Sequence, residues 1–196
     1  MAVPRIHGAR APGMKALEAA QAPVLVTDRL ALRPLAAGDA EFILALLNDP
    51  AWLEFIGDRG VRTVEDARGY LEKGPIAMHA RHGFGLYRVE RKADGAPIGM
   101  CGLIRREGLD DVDLGFAFLP AFRSQGYALE SASATMALAR SAFGLKRVVA
   151  VTSVANRDSI RLLEKIGFRF ERMVRLPKDD EEIMLFGCET PGGGTP

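Results

Sequence analysis

The sequence predicts an α+β domain, a mixed central sheet with flanking helices and a single βαβ crossover inside it. Three observations lead there. Apolar residues recur with a period of two in three successive runs, 84–89, 98–104 and 112–118, the pattern of strands with one buried face. After Pro120 the period changes, and Leu129, Ala132, Met136, Ala139 and Phe143 follow one another at spacings of three and four, the stripe of an amphipathic helix. Residues 146–152 then form a β-branched apolar run, as expected of a strand buried on both faces. A helix between two strands of one sheet implies a right-handed parallel crossover.

The remaining elements follow in chain order. Leu30 and Leu32 alternate with Arg29 and Arg33, which predicts a first strand. Asp39 is placed to cap a helix carrying Phe42, Ile43, Leu46 and Leu47 on one side and stopped by Asn48-Asp49-Pro50. Thr63 and Asp66 form a capping-box-like start for a second helix through Tyr70 and Leu71, with Gly74 just past its end. Asp94-Gly95 turns the first pair of strands, and Gly144 closes the long helix. Residues 168–175 and 182–188 read as a final antiparallel pair. Composition at the ends, with Gly8, Pro12 and Gly13 at one and Pro191-Gly192-Gly193-Gly194 at the other, predicts flexible segments over 1–23 and 189–196 around a domain spanning 24–188.

Bulk properties narrow the function. A chain of 196 residues, 48% hydrophobic, suits one domain with a substantial core. Its net charge of +1, from 26 basic against 25 acidic residues, gives no global field for nucleic acid or an anionic membrane. Cys101 and Cys188 are far apart and fit neither a zinc motif nor a disulfide framework, and His79 and His82 have no further ligand at useful spacing, so no metal is expected. Without a signal-like leader or a bilayer-length apolar run, the expected location is cytoplasmic.

The chemistry is concentrated in Arg123-Ser124-Gln125-Gly126-Tyr127-Ala128, where a loop enters the long helix. A helix start leaves backbone N–H groups unpaired and carries the positive end of the dipole, so it suits a diphosphate. Gly126 and Ala128 keep the approach clear, and Arg123 is the expected cation at its mouth. Neither G-x-G-x-x-G nor G-x-x-x-x-G-K-[ST] occurs, which disfavours the common dinucleotide and P-loop folds.

In order along the chain stand a strand ending at Pro120, this loop and helix, the strand 148–152, the segment Asn156-Arg157-Asp158-Ser159, and Gly167-Phe168. That series closely resembles the GNAT superfamily of acetyl-CoA-dependent N-acetyltransferases. Thr27-Asp28-Arg29-Leu30, with Asn48-Asp49-Pro50, resembles its ribosomal-protein N-terminal acetyltransferase branch.

The resemblance implies the GNAT fold, with parallel strands that splay apart, and acetyl transfer from acetyl-CoA to a primary amine by direct attack in a ternary complex. The amine is either a protein or peptide α-amine or that of a small molecule such as an antibiotic, polyamine or amino acid. A non-catalytic acyl-CoA-binding module is the alternative, and the chain is a monomer or a homodimer. By the same resemblance the pantetheine arm lies along Phe116, Ala117, Phe118 and Leu119, the diphosphate meets Arg123, Ser124, Gln125, Gly126, Tyr127 and Ala128, and the N–H of Phe118 or Leu119 receives the oxyanion. Asp113 occupies the position of a family carboxylate base that is usually Glu. It is either that base, acting through a water because it is one methylene shorter, or a solvated strand charge beside Asp110 and Asp111. Asn156 contacts the pantetheine or an active-site water, or caps its helix. Ser159 hydrogen-bonds on the thiolate side, or is an ordinary first-turn serine. The Tyr acid of many members is replaced here by Leu163. Arg157, Arg161 and Lys165 form a basic row that either meets the 3′-phosphate or is a solvated helix face.

Overall fold

A computed structural model describes residues 22–177 and 181–190. The ends expected to be flexible fall outside the described residues except for 22–23 and 189–190. Of these, Glu189 closes the last strand, and the Thr190 N–H donates to Lys146 O at 2.8 Å.

The strands are β1 (Leu25–Val26), β2 (Leu30–Pro34), β3 (Leu86–Arg91), β4 (Pro97–Ile104), β5 (Asp113–Phe118), β6 (Arg147–Thr152), β7 (Arg169–Val174) and β8 (Ile183–Glu189). They form one eight-stranded sheet in the order β1-β2-β3-β4-β5-β6-β8-β7. All neighbours are antiparallel except β5 and β6, which are joined by the 15-residue helix α5 (Tyr127–Ser141). The earlier helices are α1 (Ala40–Leu47), α2 (Pro50–Phe55), α3 (Val64–Leu71) and α4 (Ala77–His82), and α6 (Arg157–Lys165) follows β6.

The alternation in the strands separates two cores. One unites α5 and α6 with strand residues that include Val89, Ile98, Phe118, Val148 and Phe186. The other gathers Ile43, Leu46, Leu47, Trp52 and Leu71 of α1–α3 around Met100, with Ala117 and Leu119 against it. Successive residues of β5 therefore face different cores, as a period of two requires.

Two helix boundaries differ from expectation. Asp39 does not cap α1 through its side chain, because its carboxylate is taken by the guanidinium of Arg33 at 2.7 and 2.9 Å, by Arg88 and by the Ala36 N–H. Charge-assisted bonds from strand arginines outcompete a local cap. Nor does Gly74 end the second helix. The Thr63 and Asp66 capping box starts α3 as expected, but a π turn over Glu72–Ile76 carries Pro75 and leads directly into α4, which stops at Gly83 with φ +74°. A wide i→i+5 turn accommodates a proline that has no N–H to give to an α-helical ladder.

Candidate active site

The sheet opens between its two parallel strands, as the resemblance implies. β4 and β5 keep a full register over six pairs, from Gly99↔Phe118 to Ile104↔Asp113. β5 and β6 share only the pair Asp113↔Val149, supported by the Val149 N–H donating to Val112 O at 2.9 Å. Beyond that point β6 stays with β8 through Thr152, so the two parallel strands diverge. The gap opens into a cavity of about 1430 Å³ lined from both strands, from the start of α5, from α6 and from the α2–α4 region.

Hydrogen-bond alternation fixes which backbone groups look into the gap. The Leu119 N–H donates to Ile98 O at 2.9 Å, so in an antiparallel ladder the residues bonded to β4 are Leu119, Ala117 and Gly115. The N–H groups of Phe116 and Phe118 therefore point toward β6, where the strand has moved away. The two expected oxyanion donors thus part company. Phe118 faces the gap, whereas Leu119 has spent its N–H on β4 and does not line the cavity.

At the wide end, the loop before α5 carries two left-handed residues, Ser124 at φ +58° and Gly126 at φ +81°. The first α-helical bond runs from the Glu130 N–H to Gly126 O, and the amides of Gly126, Tyr127, Ala128 and Leu129 have no acceptor among the described residues. These are the four orphan donors of a helix start, and they stand at the cavity wall. Ser124 also lines it. Gln125 does not, since its side-chain amide donates back to Ala121 O at 2.7 Å. Tyr127 is mostly core, only 8% exposed.

The expected cation of this loop is tied down. Arg123 gives Nε to Phe118 O at 2.9 Å and Nη2 to the buried carboxylate of Asp49, which also caps α2 by accepting from the Ala51 and Trp52 N–H groups. Arg123 thus clamps the loop to α2. A second guanidinium not expected from the sequence, that of Arg29, bonds Gln125 O at 3.0 Å and lies 4.6 Å from the Tyr127 ring centroid. Its one sequence signal was its place in Thr27-Asp28-Arg29.

Across the gap, Asn156 and Ser159 both line the cavity. Asn156 does cap α6, its Oδ1 accepting from the Ser159 N–H at 3.1 Å, and this contact brings the two side chains together. The Ser159 hydroxyl has no partner among the described residues. Leu163 is buried at 1% exposure. Of the basic row, Arg161 pairs with Asp158 and lines the cavity with Lys165, while Arg157 does not.

Asp113 lies at the apex of the V, 1% exposed, behind the cavity wall and not in it. Arg106 covers it, with Nε and Nη2 at 2.7 and 2.6 Å from Oδ2. Oδ1 makes no complete hydrogen bond, although the Val151 N–H lies close enough to help hold the charge. Burial pushes this carboxyl above its ordinary range, against the pull of Arg106. A carboxylate so enclosed is placed to hold Arg106, which does line the cavity, more than to receive a proton from a molecule inside it. Tyr70 also lines the cavity; its pKa is raised by burial and drawn back by Arg59 and Arg106, and its hydroxyl has no partner among the described residues. Nothing in the sequence marked Tyr70 beyond its place on a helix.

The acetyltransferase (GNAT) domain family matches residues 29–169, most of the chain. The chain belongs to the GNAT acetyltransferase family. It is 30% identical to the uncharacterized N-acetyltransferase YoaA of Bacillus subtilis (strain 168) over 155 residues, 78% of this chain and 86% of that one. The acetyltransferase also superposes on a GNAT-family acetyltransferase from Bacillus anthracis with TM-score 0.71 and 25% identity, covering 84% of this chain and 97% of the other. A more distant likeness, at 19% identity and TM-score 0.72 over 85% and 97% of the chains, is to RimL, a ribosomal L7/L12 alpha-N-protein acetyltransferase, in complex with coenzyme A; it bears on the fold alone.

Acetyl-CoA, the acetyl donor of the GNAT fold, is an elongated molecule with an anionic end and a peptide-like arm. The acetyltransferase offers four orphan amides at one end of its cavity and the inward N–H groups of Phe116 and Phe118 along it, so the residues fit the group. Among the described residues no group of His, Cys, Asp and Glu is arranged to hold a metal ion, and no helix is long and apolar enough to cross a membrane.

Proposed function

We propose that this acetyltransferase moves the acetyl group of acetyl-CoA onto an α-amine, or another weakly basic amine, by direct attack in a ternary complex. The observation that carries the reading is the closure of Arg106 over Asp113. With the expected base held in an ion pair behind the wall, the reaction relies on an acceptor that is readily neutral. At pH 7 a lysine-type amine, pKa about 10.4, costs roughly 4.6 kcal/mol to deprotonate, and a peptide α-amine near 7.8 costs roughly 1.1.

Bound acetyl-CoA supplies an activated thioester carbonyl and a thiolate leaving group. In this reading the amides of Gly126 to Leu129 take the diphosphate, where charge-assisted bonds of roughly 1.5–3 kcal/mol each outweigh a helix-dipole term of about 0.3–1. The N–H groups of Phe116 and Phe118 would hold the pantetheine arm as a substitute strand, and that of Phe118 is the one placed for the oxyanion. Ser159, set beside Asn156, donates a hydrogen bond on the sulfur side without surrendering its proton. Asp113 fixes Arg106 at the cavity wall. The α-amine specificity in the name of RimL is a property of that protein, and it makes the same acceptor class the first to assay here.

The test compares kcat/KM at pH 7 for a short peptide with a free N-terminus and the same peptide N-blocked but carrying one lysine. The free α-amine is expected to be the better substrate. A higher value for the lysine peptide, or for a polyamine, overturns the acceptor assignment while leaving acetyl transfer intact.

A further inference from the structure

The turn between β1 and β2 reaches across to the first turn of α5, about a hundred residues away in sequence, and closes on it and on the preceding loop with four polar contacts. The Thr27 hydroxyl and the Arg29 N–H both donate to Glu130 Oε1, at 2.5 and 2.9 Å, and Arg29 Nε donates to Glu130 Oε2 at 2.6 Å. Arg29 Nη1 donates to Gln125 O at 3.0 Å, and Lys92 Nζ secures the turn by donating to Thr27 O at 3.0 Å. The guanidinium lies over the Tyr127 ring, and Nη2 would stand only 3.2 Å from a Cβ built on Gly126.

Two features of the loop oppose an anion. Gln125 O is a carbonyl set between the left-handed Ser124 and Gly126, one residue before the first of the orphan amides. Glu130 is a carboxylate one turn inside the helix, and Glu130 is largely buried, with 18% of its side chain exposed. Arg29 answers both at once. It draws the Gln125 carbonyl to itself and, with Thr27, saturates the Glu130 carboxylate; burial would raise that carboxyl, and these bonds instead hold it below its ordinary range. A non-glycine residue at φ +58° persists only where its surroundings over-determine it, and this clasp supplies that constraint next to Ser124.

We infer that Arg29 is a positioning residue for the diphosphate loop: by holding Gln125 O and Glu130, it turns negative groups away so that the amides of Gly126 to Leu129 are presented to the anionic end of coenzyme A. The inference rests on the proposed site for acetyl-CoA. Arg29 contacts none of the reacting atoms, so its loss acts on binding and not on the acetyl-transfer step.

The experiment measures the Kd of CoA by calorimetry, with KM for acetyl-CoA and kcat alongside, in the wild type, Arg29→Ala, Arg29→Lys and the double variant Arg29→Ala/Glu130→Gln. Arg29→Ala is expected to weaken CoA binding by about tenfold or more and to raise KM in parallel, with kcat at saturation within about threefold, because charge-assisted contacts are lost on one side only. Arg29→Lys keeps a cation but cannot bridge Glu130 and Gln125 O while stacking on Tyr127, so it is expected to regain thermal stability without regaining affinity. Glu130→Gln in the Ala background is expected to recover part of the affinity by removing the uncompensated carboxylate. A folded Arg29→Ala protein that binds CoA within about twofold of wild type overturns the inference, as does full affinity in Arg29→Lys. Should Arg29→Ala fail to fold, Arg29→Lys alone decides between these outcomes. If the wild type itself does not bind CoA, it is the proposed site that fails, not the role of Arg29 within it.

Discussion

Arg106 places two guanidinium nitrogens on one oxygen of Asp113, Oδ2, at 2.7 and 2.6 Å, and leaves Oδ1 enclosed at the apex of the splayed strands. The pair occupies the place where a catalytic carboxylate was expected and presents its positive member to the cavity. Asp113→Asn is therefore expected to cost about 1–3 kcal/mol of stability, since Arg106 loses its counter-ion but keeps an amide acceptor. The kcat/KM profile against pH should keep its shape. Disappearance of an acidic limb in the Asn variant would reinstate Asp113 as the base.

Acetyl-CoA should stabilise the native state by mass action. At a hundred times Kd the gain is about 2.7 kcal/mol, which for a domain of this size raises Tm by roughly 5–10 °C. Thermal denaturation with and without millimolar acetyl-CoA checks this, and an unchanged Tm in a folded sample contradicts the cavity assignment.

Gly126→Glu should abolish CoA binding while the protein stays folded. Its φ of +81° disfavours any side chain, and a Cβ there meets Arg29 at 3.2 Å, a flexible neighbour that can yield. The larger effect is a carboxylate beside four amides meant for a diphosphate. Calorimetry on a variant with a normal circular dichroism spectrum is the measurement; affinity retained within about threefold would reduce the loop to an ordinary helix entry.

Asp39 should govern part of the acid limb of stability. It is 3% exposed; burial would raise its carboxyl, yet bonds from Arg33, the Ala36 N–H and Arg88 bring it below the ordinary value of 3.8. A depressed folded-state pKa contributes stability that is complete above the unfolded value and is lost as pH falls through the folded one. Asp39→Asn is expected to destabilise the protein near pH 7, and by progressively less as the pH falls below 3.8 and through the depressed folded-state value. Urea titrations in both pH ranges test this, and equal losses in the two would show that the charge is not the source.

Much of the fold was legible because its periods are local. The alternation of Leu30 with Leu32, the three-and-four spacing from Leu129 to Phe143 and the apolar run of β6 are each decided within a few residues, and the crossover follows from their order. Where one local signal meets a competing feature, whether a distant charge or a neighbouring residue, the sequence misled. Asp39 looks like a helix cap until Arg33 and Arg88 are brought beside it by strand pairing, and Gly74 looks like a stop until Pro75 is absorbed in a wide turn.

The candidate site divides in the same way. Local sequence is enough to place the helix start at Gly126, the Asn156 cap with Ser159 one turn on, and the strand that stops at Phe118 just before Pro120, because each depends on backbone geometry over a few neighbouring residues. Which charges serve them follows from how distant segments pack together. Arg123 turned to Asp49, Arg29 came to the loop from the turn between β1 and β2, and Arg106 closed over Asp113. Ion-pair choice depends on distances between segments far apart in the chain and on how deeply each partner is buried, neither of which is written in local sequence.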